Sequence, residues 1–177
     1  STPSGLQGFG YAVDTRDGFD LARIVRSAHP AEGFLSALGG IVVRDAPSVE
    51  AMVIHAGALR IQDGVALVMA PPGTGKTTLV RAAGPRAFAH NAVLVRRAES
   101  AEMTAWALPF AGDPDSSLDA PGTAPVRVLV ELARATRSRF EWRTAAQATI
   151  RVVKSCARPP GQDPYPSTRP RLALEMA

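Results

Sequence analysis

The sequence predicts an α/β fold, in which helices flank a mixed β-sheet. The first observation is a glycine-rich loop at residues 70–78, which lies between an apolar run and a helical segment that stops at Gly84. The second is an Asp63-Gly64 turn signal between two apolar runs, which predicts a β-hairpin directly before the loop. The third is the alternating run at residues 126–132, which predicts a later strand.

Before the loop, the sequence predicts a peripheral, glycine-rich N-terminal segment and the first strands of the sheet. Proline, glycine and β-branched residues mark the boundaries of these elements. The predicted elements are a short helix at residues 20–27, a helix from Phe34 that breaks at Gly39-Gly40 and becomes a strand up to Val43, one strand at residues 49–61 and another at residues 65–70.

After the loop helix, short apolar runs predict further strands, and a capping box predicts a late helix. Thr144 and Gln147 have the capping-box spacing, with Ile150, Val153 and Cys156 on the apolar side of the helix they begin. The other predicted elements are strands at residues 92–95, 104–110 and 126–132, a loop at residues 111–125, an edge strand at residues 139–142 and a last helical turn at residues 172–176.

Length and composition bound the class of protein. The chain of 177 residues is 46% hydrophobic, which suits one globular domain with its own core. No apolar run approaches the roughly 20 residues that span a bilayer, so we expect no membrane association. We see no signal peptide, and the single cysteine, Cys156, cannot form an internal disulfide. These features predict a cytoplasmic location, with Cys156 buried near a helix end.

The net charge of +4 is concentrated in the C-terminal third of the chain. Residues 126–177 hold ten basic and four acidic side chains, whereas residues 1–125 hold ten basic and twelve acidic ones. Without an evident reader motif or interleaved aromatic platform, nucleic acid is not the expected partner. The excess predicts either a solvated arginine-rich face or a surface for an acidic protein or peptide. The sequence leaves a homo-oligomer open.

The glycine-rich loop fits the phosphate-binding pattern A/G-x-x-x-x-G-K-[ST] at every fixed position. Glycine allows left-handed backbone angles and a close approach to a phosphate. Lys76 is one of only two lysines, against eighteen arginines, which suggests that this position needs a compact ammonium. The predicted ligands are ATP and Mg²⁺, with Thr77 on the metal. The predicted nucleotide-binding residues are Pro72, Gly73, Thr74, Gly75, Lys76, Thr77 and Thr78.

The loop string also resembles that of an AAA+ ATPase. Such a protein needs an apolar strand ending in Asp-Glu, sensor residues and a helical lid, whereas the nearest candidate here, residues 128–131, lacks the aspartate. Only about 100 residues follow the loop, which is short for such a core. A hairpin directly before the loop is also atypical of that class. The AAA+ alternative is therefore the weaker one.

Residues 35–160 resemble the HPr kinase/phosphorylase-like family, whose nucleotide core is related to that of phosphoenolpyruvate carboxykinases. The resemblance is carried by the histidine-bearing strand and hairpin of residues 53–68, the Val-rich segment of residues 88–95 and the Pro-Phe-x-Gly-Asp turn of residues 109–113. It implies a P-loop kinase-like domain at residues 35–158, flanked by a peripheral segment at residues 1–34 and a Pro-rich segment at residues 159–177.

The chain departs from the family pattern where two acids are expected. His90 and Asn91 stand in their place. The resemblance implies a base and a metal partner here, so His90 becomes the candidate base, and Asn91 a metal ligand through its carbonyl. His55 matches the family histidine and is the second catalytic candidate. Asp113 is the third metal candidate, beside Thr77 and Asn91.

Two functions follow from this pattern. The first is an ATP-dependent kinase for a serine or similar hydroxyl on a protein or peptide. The second is a catalytically degenerate nucleotide-binding scaffold or regulatory pseudokinase, because asparagine cannot accept a proton. The sequence also left the role of Glu131 open, between a second acid of the site and an exposed edge carboxylate.

Overall fold

The computed structural model describes residues 5–8, 11–16, 19–24, 30–108, 122–157 and 173–176. It has the predicted α/β class, with a mixed seven-stranded sheet and flanking helices. The helices are α1 (Pro30–Asp45), α2 (Lys76–Ala82) and α3 (Ala145–Ser155). Among the described residues, none of the helices has both the length and the apolarity needed to cross a bilayer.

The N-terminal segment forms a separate antiparallel sheet. Its strands are β1 (Gly5–Gly8), β2 (Tyr11–Arg16) and β3 (Phe19–Ile24), and α1 contacts all three. The predicted helix at residues 20–27 is therefore wrong over residues 20–24, which belong to β3. Pairing of β3 with β2 supplies main-chain partners that a short, isolated helix would lack.

The large sheet contains one parallel strand pair. Its order is β4-β8-β9-β10-β6-β5-β7, and only β10 and β6 run parallel. The β5–β6 pair is the predicted hairpin, closed by Gln62 and Asp63. Its strands are β4 (Ala51–Ile54), β5 (Gly57–Ile61), β6 (Gly64–Met69), β7 (Ala87–Ala89), β8 (Val93–Arg97), β9 (Met103–Ala107) and β10 (Thr123–Glu131).

The sheet is strongly curved. His55 and Ala56 alone connect β4 to β5, yet these strands occupy the first and sixth positions of the sheet. In a flat sheet the two strands would lie about 24 Å apart, whereas this connection reaches only about 10 Å. β10 carries part of the curvature, since its start pairs with β9 and its end with β6, with a register shift between Val126 and Val128. The single strand predicted at residues 49–61 is thus two strands.

Helix α1 continues through Gly39 and Gly40 to Asp45, so the predicted break and following strand are wrong. Glycine costs a helix about 1 kcal/mol relative to alanine. Burial offsets this cost, because the C-terminal part of α1 packs its Val42 and Val43 against a core cluster that contains Val53.

Helices α2 and α3 pack on the sheet over different strands. Val80 of α2 lies over Gly57 of β5, and Val152 of α3 joins the core cluster that contains Leu67 of β6. As predicted, α2 is followed by a left-handed glycine, Gly84, with φ +54°. Both hydrogen bonds of the predicted capping box at the start of α3 are present.

The predicted apolar side of α3 is confirmed at Val153 and Cys156, which pack in the core, and is wrong at Ile150. Ile150 is exposed, whereas Val152 and Cys156 are buried. Val152 and Cys156 are four residues apart, which is close to the helix period of 3.6, so both lie on the same side of α3. The sequence pattern alone fits a stripe that begins at Ile150 or one that begins at Val152. Cys156 is a buried thiol as predicted, with its Sγ 3.6 Å from the Met52 Sδ.

Three other boundaries differ from the sequence predictions. Residues 123–125, predicted as loop, begin β10. The strand predicted at residues 104–110 ends at Ala107, and residues 109–121 lie outside the described residues. Residues 139–142 form no strand, since no neighbouring strand supplies ladder partners. The predicted C-terminal turn is present at residues 173–176, with Ala173 buried in the main core.

Candidate functional site

The glycine-rich loop connects the end of β6 to the start of α2. Gly73 and Gly75 have φ angles of +71° and +103°, in the region that favours glycine. Between them, Thr74 turns back on Pro71, whose carbonyl accepts the Thr74 backbone N–H at 3.3 Å and its hydroxyl at 2.8 Å. The backbone therefore favours glycine at both positions, of which Gly75 is fixed in the sequence pattern and Gly73 is not.

Lys76 is buried at the base of this loop, with 7% of its surface exposed. Its Nζ donates to the Asn91 Oδ1 at 3.0 Å and to the His90 carbonyl at 3.5 Å. Both acceptors are neutral, so they hold the ammonium in position without cancelling its charge. Burial lowers the pKa of Lys76, and no ion pair joins this lysine to a carboxylate among the described residues.

His90 lies beside this lysine and is also buried, at 8% exposure. Its Nδ1 has no hydrogen-bond partner in the described part of the chain. Burial lowers its pKa, and the charges of Arg81 and Lys76 lower it further, so the ring is neutral at pH 7. A buried nitrogen without a partner costs about 1–3 kcal/mol, which a ligand could recover by bonding to it.

His55 lies at the bend between β4 and β5. Its backbone N–H donates to the Ser155 carbonyl at 2.7 Å, which ties the bend to the end of α3. The residue is exposed overall, yet partial burial of the ring and the Lys76 charge lower its pKa. The Lys76 charge contributes to the lowered pKa of both His55 and His90, so both rings lie within electrostatic range of the loop lysine.

Arg134 is a site residue that the sequence analysis did not single out. Its guanidinium donates to the Gly73 carbonyl. The contact follows from the parallel pairing of β10 with β6. Just after β10, Leu132 donates its N–H to the Met69 carbonyl at 2.8 Å, and the chain then continues beside the glycine-rich loop to Arg134. If β10 had been predicted to run parallel to β6, the contact of Arg134 with the loop could have been predicted too, because the carboxyl ends of parallel strands lie at one edge of the sheet.

Glu131 pairs with arginines. It is in register with Met69, at the ends of β10 and β6, but its carboxylate lies 3.4 Å from the Arg151 Nε and 3.7 Å from the Arg143 Nε. These contacts favour the edge-carboxylate alternative that the sequence left open, with α3 supplying one partner.

The donor set suits an anion better than a metal ion. Mg²⁺ in proteins usually has one or two carboxylate ligands beside the phosphates. No group of three His, Cys, Asp or Glu residues suited to a metal occurs among the described residues. Of the predicted ligands, Thr77 is exposed, the Asn91 Oδ1 accepts from Lys76, and Asp113 lies outside the described residues. The described side chains therefore form no complete metal site by themselves.

Comparison of the chain with protein-family models, with curated proteins and with solved structures finds no match.

The two histidines predict a pH dependence of stability. Both have a folded-state pKa below the ordinary 6.5, so the unfolded chain binds more protons between the folded value and 6.5. We therefore expect the free energy of unfolding to fall as pH is lowered through that window. Urea unfolding from about pH 7.5 to about pH 5.5 tests this, because histidine is the side chain that ordinarily titrates there.

The matched variants are His55→Gln, His90→Gln and the double variant. Each single substitution should flatten the pH profile, and the double variant should flatten it most. A wild-type slope that survives in the double variant would assign the pH dependence to other groups.

Proposed function

We propose that this protein binds a nucleoside triphosphate, ATP, through the loop at residues 70–78. The observation that carries the proposal is the buried Lys76 ammonium, which is held by two neutral oxygens and has no carboxylate partner among the described residues. A terminal phosphate would supply the missing anion. The two glycines with positive φ would let backbone N–H groups approach the phosphates without side-chain interference.

Other cations support this assignment. Arg134 already contacts the loop, and the Arg81 charge acts on His90 from helix α2. An anion beside these groups gains from each of them, and the gain is larger where water is excluded, as around Lys76. The location of a phosphate at the end of β6 also agrees with the resemblance to the HPr kinase-like core, which we retain as part of the proposal.

The proposed reaction is transfer of the terminal phosphoryl group to a serine or similar hydroxyl of a protein or peptide. The hydroxyl oxygen bonds to phosphorus, the bond to the ADP oxygen breaks, and the hydroxyl proton moves to His90. His90 suits this role because it is neutral and its Nδ1 has no other partner in the described residues. His55 is the second candidate base. Mg²⁺, when bound with the phosphates, would neutralise part of their charge, with Thr77 and Asn91 as its nearest described candidates.

A non-catalytic scaffold that binds nucleotide is the second candidate function. It is favoured by Asn91, which replaces an expected acid and accepts a hydrogen bond from Lys76. An amide in this position can orient the lysine but cannot take a proton.

Thermal unfolding with Mg-ATP, combined with assays of ADP formation and intact-mass assays of candidate acceptor peptides, tests both candidates. A kinase should show a nucleotide-dependent rise in melting temperature and phosphate transfer that falls in His90→Ala. A shift without ADP or phosphopeptide would support the scaffold. If Mg-ATP, Mg-GTP and free ATP all left the melting temperature unchanged, nucleotide binding itself would be rejected.

Arg134 should contribute to nucleotide affinity. An exposed charged contact is worth at most about 1 kcal/mol, so Arg134→Ala should weaken Mg-ATP binding by roughly fivefold. Isothermal titration measures this, with Arg137→Ala as the control for loss of one positive charge three residues away. Equal losses in both variants would show that Arg134 acts only through general charge.

A further inference from the structure

The chain between β10 and α3 exposes two large aromatic side chains. We call residues 133–143 the arginine–aromatic segment. Phe140 and Trp142 in it are exposed by 104% and 102%, so they contact almost nothing. Full exposure of two neighbouring aromatic rings is costly in water and marks an interaction site rather than ordinary surface. The segment has no part in the nucleotide site beyond the Arg134 contact.

Hydrogen bonds fix the residues that flank the arginine–aromatic segment on both sides. Leu132 at its start bonds to Met69, and Thr144 at its end forms the capping box of α3. Within the described part of the chain, residues 133–143 make no backbone hydrogen bond. No described residue therefore occupies their main-chain donors and acceptors.

Its side chains alternate. Glu141 forms ion pairs with Arg139 at 3.0 Å and with Arg143 at 3.6 Å, which places these three residues on one side. A period of two then directs Phe140 and Trp142 to the other side. The segment offers an aromatic face and a charged face, as a strand does when another strand can add beside it.

The charges select the partner. The segment carries four arginines and one glutamate, which favours an acidic partner. A second copy pairing antiparallel about Glu141 would set this residue against its own counterpart and Arg139 against the counterpart of Arg143, and like charges opposite each other destabilise such a pair. A nucleic acid has no peptide backbone to add beside the segment as a strand, whereas an extended peptide has one.

We propose that residues 133–143 bind an extended peptide segment of a partner protein, with acidic side chains toward Arg137 and apolar side chains over Phe140 and Trp142. Apart from Arg134, this surface shares no residue with the nucleotide site, and the proposal does not depend on the proposed function.

Fluorescence anisotropy on the full chain tests the proposal with three labelled probes. These are a peptide alternating glutamate and valine, a peptide alternating lysine and valine, and a short oligothymidylate. The glutamate peptide should bind, and the double variant Phe140→Ser/Trp142→Ser should weaken it at least about tenfold. Arg137→Ala should weaken it roughly threefold. Ile150→Ser removes an exposed apolar side chain elsewhere and should leave binding unchanged.

Two further results separate the alternatives. Lys76→Ala should bind the glutamate peptide as the wild type does, so failure of the nucleotide proposal would leave this one standing. Four results would each overturn the proposal. They are preference for the lysine peptide, tighter binding of oligothymidylate, binding that survives the double serine variant, and no binding of the glutamate peptide. Oligothymidylate binding that falls steeply with salt would identify nucleic acid as the partner instead.

Discussion

Substitution of Lys76 by alanine should abolish most of the affinity for Mg-ATP while leaving the protein folded. Loss of a buried charge contact costs about 2–5 kcal/mol, which corresponds to a decrease in affinity of roughly 30-fold or more. The folded state should tolerate the change, because burial lowers the pKa of Lys76 and so already disfavours its charged form. Isothermal titration with Mg-ATP measures the affinity, and circular dichroism with a thermal melt verifies the fold.

Lys154 is the matched control, since it is the only other lysine and is exposed on α3. Lys154→Ala removes the same charge and should bind Mg-ATP as the wild type does. If the two variants bound Mg-ATP with equal affinity, neither Lys76 nor the loop would be part of the nucleotide site. An unfolded Lys76→Ala protein would leave Arg134→Ala as the variant that tests the loop.

Substitution of Gly57 by alanine should destabilise the fold more than an ordinary surface change. A Cβ at this position would lie 2.5 Å from the Val80 Cγ2, closer than van der Waals contact allows. Overpacking of this kind typically costs about 1–3 kcal/mol. For a chain of this size the melting temperature falls by about 2–4 °C per kcal/mol, so a thermal melt resolves the effect.

A double-mutant cycle identifies the cause of this destabilisation. Val80→Ala removes the clashing methyl group, so Gly57→Ala should cost much less in that background, with a coupling energy of about 0.5–3 kcal/mol. Val152→Ala deletes a similar buried volume from α3, which packs over β6 rather than β5, and should be additive with Gly57→Ala. Additivity in both cycles would show that the close approach of α2 to β5 does not limit stability.

Local sequence patterns predicted some features of the candidate site but not its long-range contacts. The roles of Gly73, Gly75 and Lys76 were predicted from the eight adjacent residues 70–77, because the pattern reflects a backbone requirement that is local. The structure has the positive φ angles at both glycines and buries the lysine. The contacts of Lys76 with His90 and Asn91 join residues fourteen and fifteen positions away, and no local pattern specifies such a distance. Binding of ATP and a kinase reaction stay predictions.

The elements that the sequence determined by itself are those with local causes. They are the hairpin at Gln62-Asp63, the helix stop at Gly84 and the capping box of Thr144 and Gln147, each set by turn or cap chemistry within a few residues. The tertiary structure decided which strands pair. It made residues 20–24 a strand, divided residues 49–61 at His55, and left residues 139–142 without a neighbour.

The same division explains Arg134 and α3. Only the parallel pairing of β10 with β6 brings Arg134 to the Gly73 carbonyl, and only packing on the sheet selects Val152 over Ile150 as the buried residue of α3. Local sequence sets backbone angles and caps because those energies arise between near neighbours. Strand partners and the buried side of a helix are set by contacts between distant residues, and these form only when the whole sheet curves around its core.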